Sequence, residues 1–122
     1  MKLVVDASVL IAFVLTDEAE HENALHFIAA CELAKHSIIL PTLAWPEVAG
    51  NVSRRRQDPA KAEIALLRIS RLQRLKVVPL SDSFALAAAR LAGRHRLRGA
   101  DAVYVQTARS SHLTSNTGHA RW

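Results

Sequence analysis

Met1-Lys2-Leu3-Val4-Val5-Asp6-Ala7-Ser8-Val9-Leu10 sets the fold class. Leu3-Val4-Val5 is a short, continuous apolar run without polar alternation, the pattern of a strand buried on both faces in a parallel sheet. Asp6 ends it, and a helix is expected from about Ser8 to Leu15. The same sentence is written twice more. Ile38-Ile39-Leu40 reads as a second strand ended by Pro41, and Val77-Val78 as a third ended by Pro79.

Helices fill the intervals. Thr16 and Asp17 offer caps for a second helix, on which Ala24, Leu25, Ile28 and Cys31 fall at helical spacing. A helix through Glu47, Val48 and Val52 accepts Pro46 only in its first turn. Asp58-Pro59 is a start signal, and Ala62, Ala65, Leu66, Ile69 and Leu72 form one face of the helix it opens. Ser81 caps a helix bearing Ala85, Ala88, Ala89 and Ala92. Gly99 interrupts, a last helix is expected from about Ala100 to Ala108, and Leu113 is assigned to a fourth, edge strand. The order β-αα-β-αα-β-αα-β implies a parallel sheet with right-handed crossovers and helices on both faces.

The chain of 122 residues suits one domain, half hydrophobic and 22% charged, which reads as globular. Cys31 has no partner for a disulfide or a thiolate metal site. Asp6 interrupts the first apolar run too early for a signal peptide, and the run Val9–Leu15 is too short to span a bilayer. A reducing cytoplasm and no membrane association are expected. The charge is polarised: residues 1–50 hold two Lys and Arg against seven Asp and Glu, whereas residues 51–122 hold fourteen against four. A basic half of that kind attracts a polyanion or is simply a solvated surface.

In parallel sheets, ligands bind beyond the carboxyl ends of the strands. Asp6 lies just past the first strand, Glu47 early in the helix after the second, and Asp101 in the first turn after Gly99. Three carboxylates on one sheet edge repel one another unless something positive lies between them, and a hard divalent cation bound by oxygens is the usual answer. Each also has a plainer reading: Asp6 as a helix cap, Glu47 and Asp101 as complements to helix dipoles.

Met1–Leu10, Leu43-Ala44-Trp45-Pro46-Glu47-Val48 and Leu97-Arg98-Gly99-Ala100-Asp101-Ala102-Val103-Tyr104-Val105 resemble the acidic motifs of PIN-domain nucleases, most nearly the VapC-type toxins of toxin–antitoxin pairs. The resemblance covers residues 1 to about 108. It implies a three-layer sandwich around a central parallel sheet of four or so strands. It also implies a Mg²⁺-dependent (or Mn²⁺-dependent) endoribonuclease that hydrolyses a phosphodiester with a metal-activated water. Asp6, Glu47 and Asp101 would then be catalytic and metal-ligating, and Ser8 a supporting hydroxyl. The family further implies a homodimer and a VapB-type antitoxin. The sequence departs from the pattern at its end. Where the family has a fourth acid after a final strand, Leu113-Thr114-Ser115-Asn116 offers an amide, and the tail from about residue 109 is short. A non-catalytic PIN module that binds RNA or an antitoxin is therefore the alternative.

Arg54-Arg55-Arg56 and the cluster Arg90, Arg94, His95, Arg96 and Arg98 are candidates for RNA backbone contact, the second flanking the site through Arg94, Arg96 and Arg98. Trp45 and Tyr104 sit among apolar neighbours and read as core or dimer residues rather than base-stacking platforms. The six histidines show no metal spacing. Four scattered glycines exclude a phosphate-binding loop, and no Gly-x-Ser-x-Gly elbow occurs. A phospho-acceptor signalling domain would want an early acidic pair and a late lysine, and this chain has a lone Asp6 and no lysine after Lys76.

Overall fold

The computed structural model describes the backbone of residues 1–115 and the side chains of residues 1–111. Its elements run β1 (Lys2–Val4), α1 (Ala7–Val14), α2 (His21–Leu33), β2 (Ser37–Pro41), α3 (Ala44–Arg56), α4 (Pro59–Ser70), β3 (Leu75–Val78), α5 (Asp82–His95) and α6 (Gly99–Ser115). The three strands are parallel in the order β1-β2-β3. Leu3 pairs with Ile38 and Val4 with Ile39, while Leu40 pairs with Val77.

Burial explains the order. Ile38, Ile39 and Leu40 of β2 are at most 2% exposed, as a central strand requires, whereas β3 exposes Lys76 and Val77. Helix α6 packs on β1 and β2, and α2 on β2. The main core joins the first two strands to α1, α2, α3 and α4, with Leu10, Ile38, Leu40, Val48, Val52 and Ile69 wholly enclosed. A second, smaller core of Ala88, Leu91, Ala102 and Val103 fastens α5 to α6.

Two expectations are corrected. Helix α2 starts at His21, after Glu20, rather than being capped by Thr16 or Asp17. The acids of that loop turn outward instead: Asp17 pairs with Arg56 and Glu18 with Arg55, tying the loop to the end of α3. The fourth strand at Leu113 does not form, because α6 continues through Ser115, so the sheet has three strands among the described residues. Asn116 lies outside the described residues.

Four non-glycine residues adopt the left-handed region: Lys35, Gln57, Arg74 and Arg96. Lys35, Gln57 and Arg96 follow the ends of α2, α3 and α5, and Arg74 stands in the turn just before β3. Gln57 and Arg96 are the residues just past α3 and α5, the position that most often takes glycine.

Candidate active site

Three helix N-termini meet at one end of the sheet. Asp6 caps α1: its Oδ1 accepts from the amides of Ser8 (3.1 Å) and Val9 (3.4 Å) and from the Ser8 hydroxyl (2.5 Å). All three bonds fall on Oδ1, which leaves Oδ2 without a protein donor among the described residues. Glu47 stands in the first turn of α3, which starts three residues after β2 ends, with Pro46 tolerated in that turn. Asp101 stands in the first turn of α6. The positive ends of the three helix dipoles offset part of the repulsion between the acids.

These residues line one cleft of about 360 Å³, with Val4, Ala7, Leu97, Ala100 and Val105 supplying apolar wall. Asp6, Glu47 and Asp101 form no ion pair with any basic side chain among the described residues. Each plainer reading of these acids therefore holds locally, and all three still open onto one cleft. No three acidic, histidine or cysteine groups among the described residues stand close enough to form a ready-made metal cage. That geometry still suits Mg²⁺, which keeps several waters and takes one or two carboxylates directly. Hard oxygen donors without cationic partners, in a cleft roomy enough for a hydrated ion, fit such a cation.

Sequence reasoning missed one partner. The Tyr104 hydroxyl donates to Glu47 Oε1 at 2.8 Å. Its ring belongs to the main core, as expected, but the phenol tip reaches the site. Burial, the bond to Glu47 and the charges of Glu47 and Asp6 push the phenol well above its ordinary range. The one available signal was spacing: Tyr104 lies three residues after Asp101, on the same side of α6.

The basic clusters divide. Arg55 and Arg56 are taken by Glu18 and Asp17, so two of the three arginines at the end of α3 already face acids. Arg90, Arg94, Arg96 and Arg98 are exposed and form no ion pair among the described residues, and Arg96 and Arg98 flank Leu97 of the cleft wall. Trp45 is half-buried against the main core. Among the described residues, no helix is long and apolar enough to cross a membrane.

A three-stranded parallel sheet flanked by helices, with carboxylates from the first turns or caps of α1, α3 and α6 lining one cleft, defines an α/β domain. The chain belongs to the PIN domain family, whose model matches residues 3–120. Among solved structures it is similar to VapC20 of Mycobacterium tuberculosis, a sarcin-ricin loop cleaving toxin, at 18% identity over 89% of this chain and 82% of that one, with a TM-score of 0.72. It is also similar to VapBC2 of Rickettsia felis, bound to a DNA fragment from its promoter, at 13% identity over 100% and 99% of the chains, with a TM-score of 0.66. Among curated proteins none matches this chain by sequence.

Proposed function

We propose that this chain is a metal-dependent endoribonuclease, a VapC-type toxin acting in the cytoplasm as a homodimer and held in check by a VapB-type antitoxin. The observation that carries the reading is the set of three carboxylates, Asp6, Glu47 and Asp101, opening onto one cleft without a basic partner. Membership of the PIN family and the fold shared with VapC toxins support it.

Asp6 and Asp101 hold the principal Mg²⁺ or Mn²⁺, and Glu47 completes the acidic site. A bound divalent ion supplies positive charge against the scissile phosphate and a more acidic water for the attack. The chain's own residues do the rest. Ser8 and the first turn of α1 fix Asp6 through Oδ1, so that Oδ2 is the oxygen free to face the cleft. Arg94, Arg96 and Arg98 hold the RNA backbone beside the apolar wall at Leu97.

The second reading is a PIN module that binds RNA or an antitoxin without cutting. One observation favours it, the lack of a three-ligand cage among the described residues, together with the resemblance of the chain's end, which puts the amide Asn116 where the family has a fourth acid. Incubating structured RNAs with the purified chain in Mg²⁺ or in EDTA, beside Asp101→Asn, separates the two. Cleavage that needs both the ion and Asp101 is the expected result. RNA binding without cleavage by the folded chain selects the second reading, and Asn116→Asp then reports whether the missing charge is the cause.

A further inference from the structure

We infer that Tyr104 is a positioning residue for Glu47, holding one carboxylate oxygen of that side chain so that the other faces the cleft. The inference rests on the metal-site reading above. Glu47 reaches the cleft on a flexible stem, and the Tyr104 hydroxyl is the one donor to its carboxylate among the described residues. The Tyr104 ring is 9% exposed and fixed in the main core, so the donor is locked in place before any ligand arrives. A phenol is protonated at neutral pH and is therefore a donor, which suits an ionised carboxylate.

The arrangement links two elements. Helix α6 contributes Asp101 to the cleft and, one turn later on the same side, the hydroxyl that orients the acid of α3. One helix thus sets the positions of two of the three carboxylates. A phenylalanine would fill the same core volume but leave Glu47 to rotate. The plain alternative is that the bond merely satisfies a buried hydroxyl, which would be costly if left unpaired.

Tyr104→Phe separates these accounts. Mn²⁺ half-saturation is read by electron paramagnetic resonance, and kcat and KM by RNA cleavage, each in the wild-type and Glu47→Gln backgrounds. Removing an outer partner of a metal-ligating carboxylate typically costs about 10–100-fold in metal affinity or activity. The expected result is a rise of about that size in Mn²⁺ half-saturation and a matching fall in kcat, with KM for RNA nearly unchanged. In the Glu47→Gln background, Tyr104→Phe has no further effect. Unchanged Mn²⁺ half-saturation in Tyr104→Phe overturns the inference, as does an equal loss with and without the Glu47 carboxylate. A chain that binds Mn²⁺ but cuts no RNA refutes the nuclease reading, and the Mn²⁺ comparison alone then decides for or against Tyr104.

Discussion

On the proposed reading Asp6 caps α1 with one carboxylate oxygen and offers the other to the metal, and substitution can pull the two roles apart. Oδ1 satisfies the amides of Ser8 and Val9 at the start of α1, an eight-residue helix that buries Ala7, Leu10, Ile11, Ala12 and Phe13. Losing an N-cap acceptor costs about 1 kcal/mol, within a range of roughly 0.5–2, whereas asparagine caps as well as aspartate. Asp6→Ala should therefore be destabilised by about 1 kcal/mol, a fall in melting temperature of about 3–6 °C for a domain of this size. Asp6→Asn keeps the acceptor and removes one of three like charges from the cleft, so in EDTA it should melt at or above the wild-type temperature. Saturating Mg²⁺ should reverse the order. Wild type gains stability from the bound ion, about 2.7 kcal/mol at a hundredfold excess over Kd, and Asp6→Asn gains much less. Differential scanning calorimetry of the three proteins with and without Mg²⁺ reads all of this. An Asp6→Asn protein that falls as far as Asp6→Ala in EDTA would refute the division of labour between the two oxygens. Equal gains from Mg²⁺ in wild type and Asp6→Asn would remove Asp6 from the metal site.

Other consequences are as direct. If Arg94 and Arg98 meet phosphates, Arg94→Gln and Arg98→Gln should each weaken RNA binding across sequences and reduce the slope of log K against log salt by about one; a slope unchanged in both variants removes them from the interface. The Arg56 guanidinium beside Asp17 holds that carboxyl below its ordinary value of 3.8, and the aspartate in turn raises the guanidinium. A depressed carboxyl stabilises the fold above its unfolded pKa and loses that effect as pH falls through its folded pKa. The stability gap between wild type and Arg56→Met should accordingly be present at pH 7, close as pH falls below the ordinary aspartate range, and shrink in high salt. A gap constant with pH in urea melts would contradict the pairing. Burial pushes the Cys31 thiol up, so a disulfide reagent at neutral pH should modify it slowly in the native chain and promptly in urea; prompt native modification would mean that α2 opens readily.

Much of the site could be read in advance because strand ends are easy to find. Leu3-Val4-Val5 and Ile38-Ile39-Leu40 read as buried strands bounded by Asp6 and Pro41, and a parallel sheet puts their carboxyl ends on one edge, which brings Asp6 and Glu47 to the same cleft. Asp101 joined them through Gly99 and the helix it opens. The errors came where local signals competed with distant partners. Thr16-Asp17 has the chemistry of a cap, but ion pairing of Asp17 and Glu18 with arginines 37 to 39 positions away prevailed. Leu113 is as compatible with a helix as with a strand, and α6 simply ran on. Tyr104 was invisible as a partner of Glu47 because the two lie 57 positions apart, and nothing in either motif records which way a core tyrosine points its hydroxyl.

The left-handed residues carry one more consequence, for protease mapping. Lys35 lies between α2 and β2, Arg74 between α4 and β3, and Arg96 between α5 and α6. All three are exposed, and each is a residue after which trypsin cuts. Glycine at these joints would have hidden them from the enzyme. As built, the chain carries its own dotted lines: brief tryptic digestion should nick first after Lys35 and Arg74, at the seams between successive βαα units, and after Arg96, between the two helices of the third, releasing 1–35, 36–74 and 75–96 as fragments whose order of appearance ranks how firmly each segment is held by its neighbours.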